Sequence, residues 1–161
     1  MAEKPLWEPS NERIEGANLT LFARRAISEW NLRINDYPSF YRWTVERPDQ
    51  FWDSVWKFAD VRARIKGTRV IEGGDKMPGA RWFPEARLNF AENLLRRGDD
   101  STAIVFWGED RVKRRLSHAD LHALVSRLAQ AMRRAGVRAG DRVAAYLPNM
   151  PEAVAVMLAS A

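Results

Sequence analysis

Apolar residues recur with helical spacing in the first part of the chain. We predict an amphipathic helix that Asn18 caps and that buries one face. Its apolar positions are Leu19, Phe22, Ala23, Ile27 and Trp30. A second helix is predicted to begin at Pro48, because proline suits the first helical position, with Asp49 in its first turn. The broad apolar face of that helix comprises Phe51, Trp52, Val55, Trp56 and Ala59.

This helical pattern breaks after Arg62. We predict a short strand over Thr68–Ile71, followed by turns at glycine- and proline-containing dipeptides. A further helix is predicted after Asn89, whose side chain is expected to accept from the exposed amides while Glu92 reaches back to the cap. Gly98 is expected to end this helix.

The pattern then changes to strands and longer helices. Thr102–Trp107 and Arg111–Leu116 are predicted to form a hairpin around the turn 108–110. Ser117 is the predicted N-cap of a long helix that Gly136 ends. The buried stripe of this helix is expected to comprise Leu121, Leu124, Val125, Leu128 and Met132.

The last part of the chain indicates an unfinished α/β unit. Val143–Leu147 is predicted to be a buried strand, and Pro151 precedes a final helix that carries Val154, Met157 and Leu158. A buried strand and an apolar helix are the first two thirds of a βαβ unit, so a closing strand is expected to follow. We therefore expect the α/β part to be incomplete and the chain to be truncated.

Composition narrows the class of protein. A chain of 161 residues can bury a sizeable core. The sequence has no long apolar run and no signal peptide, so we expect a soluble cytoplasmic protein without a membrane partner. The absence of cysteine excludes disulfides, thiolate metal sites and cysteine nucleophiles.

The net charge of +5 allows an anionic partner in principle. Most basic residues alternate with acidic ones, however, and the densest basic run, 111–115, is short. We interpret these charges as a solvated surface and expect no nucleic-acid partner. A free-standing basic interaction module remains an alternative that rests on charge alone.

The most specific stretch is Met77–Leu95, in which Trp82 and Phe83 lie between prolines and a capped helix follows. It resembles the lead-in of the AMP-forming acyl-CoA synthetases, within the adenylate-forming superfamily, and in particular the acetoacetyl-CoA branch. We expect Trp82 and Phe83 to anchor a core rather than to stack on a ligand. Acetyl- and propionyl-CoA synthetases share part of this lead-in and remain an alternative.

Three later stretches are similar to motifs of the same superfamily: 116–121, 136–143 and 146–153. Six of the seven tryptophans lie before Ala91, which indicates two regions. The resemblance implies an α/β fold class: a helical, aromatic-rich N-terminal cap over 1–98, followed over 99–161 by the first strands and helices of the large AMP-binding domain.

The resemblance implies an acid–thiol ligase that uses ATP, CoA and Mg²⁺ to convert acetoacetate into acetoacetyl-CoA through an acyl-adenylate. The family's Ser/Thr/Gly-rich loop ending in lysine, its adenine- and ribose-binding motifs and its C-terminal adenylation lysine are absent from this sequence. We therefore assign no catalytic, cofactor-binding or metal-binding residue. The chain alone is expected to be inactive, to bind none of these cofactors and to self-associate.

Two histidines have the spacing of paired metal ligands. His118 and His122 are four residues apart, as in helical zinc motifs. No glutamate lies between them and no third ligand is nearby in the sequence, so we predict no metal site.

Overall fold

The computed structural model describes residues 6–109 and 111–161. They form two compact units that divide between Arg87 and Leu88. The predicted order, an aromatic-rich helical region followed by strands and helices, is confirmed.

Four helices build the N-terminal unit. They are α1 (Asn11–Glu15), α2 (Asn18–Trp30), α3 (Tyr37–Glu46) and α4 (Pro48–Phe58). The predicted start of α4 at Pro48 is confirmed. The predicted cap of α2 is wrong: Ala17 is the N-cap and Asn18 is the first helical residue, without a side-chain capping bond.

Aromatic rings fill the core between these helices. The buried residues are Phe22, Ala26, Phe40 and Trp43. The ring of Phe22 lies edge-on to three other phenylalanines, at centroid distances of 6.0 Å to Phe40, 5.9 Å to Phe51 and 5.3 Å to Phe58. Such edge-to-face pairs add stabilisation beyond the area that they bury.

A small antiparallel pair follows α4. Strand β1 (Ile71–Glu72) pairs with β2 (Arg81–Trp82), and an isolated bridge joins Ile65 to Arg87. The strand predicted over Thr68–Ile71 is therefore shorter and shifted, because only its last residue has a partner strand.

The C-terminal unit contains a hairpin and three helices. They are α5 (Phe90–Leu94), β3 (Thr102–Gly108), β4 (Val112–Ser117), α6 (His118–Arg134) and α7 (Pro151–Ser160). The hairpin is antiparallel, with Val105 opposite Arg115 and Trp107 opposite Lys113. Asp110, which belongs to the predicted turn, lies outside the described residues.

The core of this unit lies between α5, α6 and α7. Its buried residues are Ala91, Leu121, Val125, Ala155 and Leu158, and Leu124 and Leu128 pack against them. Four residues of the predicted stripe of α6 therefore face the core, whereas Met132 lines a cavity. Ser117 caps α6 as predicted, in a capping box with Asp120, and Gly136 follows the C-cap with a φ of 91°.

Three predictions for this unit are wrong. The helix after Asn89 ends at Leu94, before Gly98. The Asn89 side chain does cap this helix by accepting from the Glu92 amide. The Glu92 side chain, however, makes no return bond to the Asn89 backbone. Val143–Leu147 is an exposed segment without regular secondary structure rather than a buried strand. A strand needs a neighbour for its backbone hydrogen bonds, and the described residues supply none.

Across the described ranges, no helix combines the length and the apolar character needed to cross a membrane.

Candidate functional site

The aromatic pair of the signature contacts two tryptophans on α4. Trp52 and Trp56 are four residues apart and therefore lie on the same helical face. The ring centroids are 5.5 Å apart for Trp52 and Trp82 and 4.6 Å apart for Trp56 and Phe83. Phe83 is half-buried, whereas Trp82 is 45% exposed. The pair thus fixes the signature to the surface of α4 rather than filling the core.

The carboxylate of Glu85, two residues after Phe83, stabilises the turn at 67–69. Glu85 accepts hydrogen bonds from the Thr68 amide at 2.7 Å and from Nε of Arg69 at 2.9 Å. These bonds lower the pKa of Glu85 to about 2, and the bond from the Thr68 amide has the largest effect. Gly67 has a φ of +80°, and a Cβ there would lie 2.5 Å from Cβ of Glu85, so this turn requires glycine.

Charged side chains form a network beside the same helix. Nζ of Lys57 lies 2.7 Å from Oδ2 of Asp53 and also pairs with Glu29, while Lys66 pairs with Asp53. Burial raises the pKa of Asp53, but the hydrogen bonds from both lysines outweigh it and lower the pKa. Hydrogen bonds to Asp53 and Glu29 raise the pKa of Lys57. The network joins α2, α4 and the segment after α4.

An open groove of about 500 Å³ lies between α2, α3 and α4. Its lining is apolar and aromatic and includes Leu19, Phe22, Tyr37, Tyr41, Phe51 and Phe58. Its lining contains no Asp, Glu, His, Lys or Arg, and its polar side chains are Asn18, Thr44 and the two tyrosines. The groove therefore offers mainly apolar contact and lacks a phosphate-binding cation.

A second cavity, of about 540 Å³, lies within the C-terminal unit. It is lined by the ends of α6 and α7 and by the segment around Arg138 and Asp141. The Asp141 carboxylate accepts from the Arg138 amide at 2.8 Å, so it stabilises its own turn. This local bond gives the carboxylate a structural role.

The shifted titratable groups do not suit proton transfer at neutral pH. Among the described residues whose pKa departs from its ordinary value, every carboxyl pKa is lowered and the single shifted lysine pKa is raised. All of these groups are therefore charged at pH 7. A general acid or base works best with a pKa near the operating pH.

The two histidines lie at the start of α6. His118 is its first residue and is half-buried, and His122 is exposed one turn later. Within the part of the chain that the structure describes, no cluster of three or more His, Cys, Asp or Glu side chains is arranged to hold a metal ion. The absence of a metal site stays a prediction.

Two family models match this chain. Residues 37–94 match the family described as acetyl-coenzyme A synthetase N-terminus, and residues 90–161 match the AMP-binding enzyme family. An acetoacetyl-coenzyme A synthetase of Rhizobium meliloti is 47% identical over 99% of this chain and 24% of its own length. An acetyl-coenzyme A synthetase 2 of Pseudomonas putida is 40% identical over 77% of this chain and 20% of its own length.

A solved structure shares the fold. An acetoacetyl-CoA synthetase from Streptomyces lividans superposes with a TM-score of 0.84 and 39% identity, over 98% of this chain and 25% of that one. The chain thus spans about a quarter of the length of the relatives that it matches.

Sequence and fold together define the class: residues 90–161 match the AMP-binding enzyme family, and residues 37–94 match the N-terminal region of acetyl-coenzyme A synthetase. Within that family it corresponds to the N-terminal quarter of the acetoacetyl-CoA synthetases. The family predicted from the signature at Met77–Leu95 is confirmed.

Proposed function

We propose that this chain is the N-terminal structural part of an acetoacetate–CoA ligase. Such a ligase joins acetoacetate to ATP, releasing diphosphate and forming an acyl-adenylate, from which the CoA thiol displaces AMP. The observation that carries the proposal is the match to acetoacetyl-CoA synthetases along almost the whole chain.

The role that we assign to the chain is to build a scaffold. Region 1–98 supplies the aromatic-rich cap, in which the signature rests on α4. Region 99–161 supplies the hairpin, α6 and α7 as the start of the AMP-binding domain. We place the protein in the cytoplasm, where its cofactors ATP and CoA are available.

The N-termini of α6 and α7 do not fit a triphosphate or its Mg²⁺. Phosphates bind well at helix N-termini whose amides are free. The N-terminus of α6 already holds Ser117 and Asp120, and the first turn of α7 holds Glu152, which pairs with Arg114 at 2.7 Å. These carboxylates would repel phosphate. We therefore propose that ATP, CoA and Mg²⁺ are bound by residues outside this chain, and that the chain alone is inactive.

The test is a substrate comparison with the whole gene product. The complete reading frame that contains this chain is expressed and assayed for AMP release with acetoacetate, acetate and propionate in turn. We expect the highest kcat/KM with acetoacetate. The 161-residue chain, assayed in parallel, is expected to release no AMP. A preference for acetate or propionate would overturn the acetoacetate assignment, and turnover by the chain alone would overturn the scaffold role.

An acetyl- or propionyl-CoA ligase is the second candidate. It is supported by the similarity to the Pseudomonas putida acetyl-coenzyme A synthetase 2. That match covers less of this chain than the match to the Rhizobium meliloti acetoacetyl-coenzyme A synthetase, and its identity is lower. The substrate comparison separates the two candidates directly.

A further inference from the structure

The β3–β4 hairpin has one exposed face with mixed apolar and basic character. We define this hairpin face by Val105, Trp107, Lys113 and Arg115. Val105 is 50% and Trp107 67% exposed, and both basic residues are exposed. Because Val105 lies opposite Arg115 and Trp107 opposite Lys113, each apolar residue has a cation beside it.

The opposite face of the hairpin is the one that packs. Side chains alternate between the two faces of a strand. Ile104 packs against the core, Leu116 is buried, and Arg114 pairs with Glu152 of α7. The hairpin face is therefore the exposed face, although Trp107 also lines a small cavity of about 180 Å³ with Pro151 and Val154 of α7.

Its positive charges are not neutralised by the described residues. Arg114, on the opposite face, has its carboxylate partner at 2.7 Å. Over 6–109 and 111–161, neither Lys113 nor Arg115 lies within ion-pair distance of a carboxylate. Nζ of Lys113 instead lies 4.7 Å from the ring centroid of Trp107. Tryptophan and arginine are the residue types that carry most energy in protein interfaces.

We propose that the hairpin face binds an acidic segment of another protein, whose carboxylates pair with Lys113 and Arg115 while an apolar side chain covers Trp107. We choose an acidic partner because its negative charges would complement these two cations. A second copy of the same face is unsuitable because like charges would meet. Two cations are also fewer than the clusters of about 4–8 that recognise anionic lipid, and fewer than the roughly 6–10 phosphate contacts of salt-sensitive DNA binding.

The test uses the intact chain and a defined probe. The probe is a blocked peptide of about eight residues that alternates Glu with Val, and its comparator has Gln in place of Glu. Binding is followed by NMR shifts of the Trp107 indole and by calorimetry. We expect the Glu peptide to bind, the Gln peptide to bind at least tenfold more weakly, and the affinity to fall between about 50 and 300 mM salt.

Charge-reversal variants localise the binding. K113E/R115E is expected to lose at least tenfold in affinity, and W107A to lose affinity while both charges remain. The matched control, R127E/R134E, makes the same charge change on the exposed side of α6 and is expected to stay within twofold. K113Q/R115Q provides a milder variant, and circular dichroism confirms that each variant is folded.

Three results would overturn the proposal. Equal losses in K113E/R115E and R127E/R134E would show attraction by net charge alone. Equal binding of the Glu and Gln peptides would remove the charge argument. Tighter, hairpin-dependent binding to single-stranded DNA or to vesicles of phosphatidylserine would assign the face to a different class of partner.

Discussion

At the scale of single residues, Glu85 links the signature to the turn that precedes β1. Its carboxylate has a pKa of about 2, below its ordinary value of 4.5, because it accepts from the Thr68 amide and from Arg69. A lowered folded-state pKa means that the contribution to stability is complete above about pH 4.5 and is lost as the pH falls through 2. We therefore expect Glu85→Gln to lower the urea midpoint at pH 7 and to match the wild type near pH 2.

The measurement is urea unfolding followed by tryptophan fluorescence, which reports mainly on the N-terminal unit because only Trp107 lies elsewhere. Glu72→Gln is the control: Glu72 forms only exposed ion pairs, at 3.5 Å to Arg69 and 3.4 Å to Arg81, and such pairs contribute little. A difference between wild type and Glu85→Gln that stays constant from pH 7 to pH 2 would contradict the assignment.

A second residue-scale prediction concerns the buried hydroxyl of α4. Ser54 is 4% exposed and accepts from Nε1 of Trp30 at 2.8 Å. Ser54→Ala leaves the indole N–H without this partner, so we expect a loss of about 1–3 kcal/mol in the free energy of unfolding. Ser28→Ala, at an exposed position of α2, is expected to change stability by less than about 0.5 kcal/mol. Equal effects of the two substitutions would show that the hydrogen bond contributes nothing.

At the scale of secondary-structure elements, the start of α6 depends on one cap. Oγ of Ser117 accepts from the Asp120 amide at 3.0 Å, and the Asp120 carboxylate accepts from the Ser117 amide at 3.0 Å. We expect Ser117→Ala to destabilise the C-terminal unit by about 1 kcal/mol and to speed hydrogen exchange of the first amides of α6. Ser126→Ala, within the same helix, is the control, since alanine favours helix. Unchanged exchange in Ser117→Ala would contradict the cap's role.

The elements that the sequence predicted well have one apolar and one polar face. α2, α4 and α6 are of this kind, and the hairpin shows alternation. α3 was missed although Asp36 and Ser39 form a capping box around Pro38. Its outward residues Tyr37, Tyr41 and Val45 are exposed yet apolar, which hides the helical period. Val143–Leu147 has the apolar composition of a buried strand, but strand pairing depends on a neighbour that composition does not reveal.

For the candidate site, the sequence revealed the family but not the contacts that hold the signature in place. Trp82 and Phe83 stood out because paired aromatics between prolines are unusual. Glu85 did not, because its role depends on residues 16 and 17 positions earlier, Arg69 and Thr68. A single carboxylate in a loop has no local pattern that marks it as a hydrogen-bond acceptor for a distant turn.

At the scale of the whole molecule, the exposed segment 143–147 determines the last prediction. Tyr146 is fully exposed, and Val143 and Leu147 are 41% and 46% exposed. The segment and α7 line a groove of about 320 Å³, to which α7 contributes Val156, Met157 and Ser160. Unpaired backbone and exposed apolar side chains promote association between copies of a chain. We therefore expect the isolated chain to form dimers or larger species.

Light scattering across a concentration series measures this directly. The apparent mass of the isolated chain should rise with concentration. The variant V143E/L147E should have an apparent mass closer to that of the monomer, because association would bury two carboxylates without partners. Met77→Glu is the control. Met77 lies outside this segment and is 98% exposed, so a charge there should leave association unchanged. A wild-type chain that stays monomeric at high concentration would contradict the prediction that exposure of 143–147 drives association.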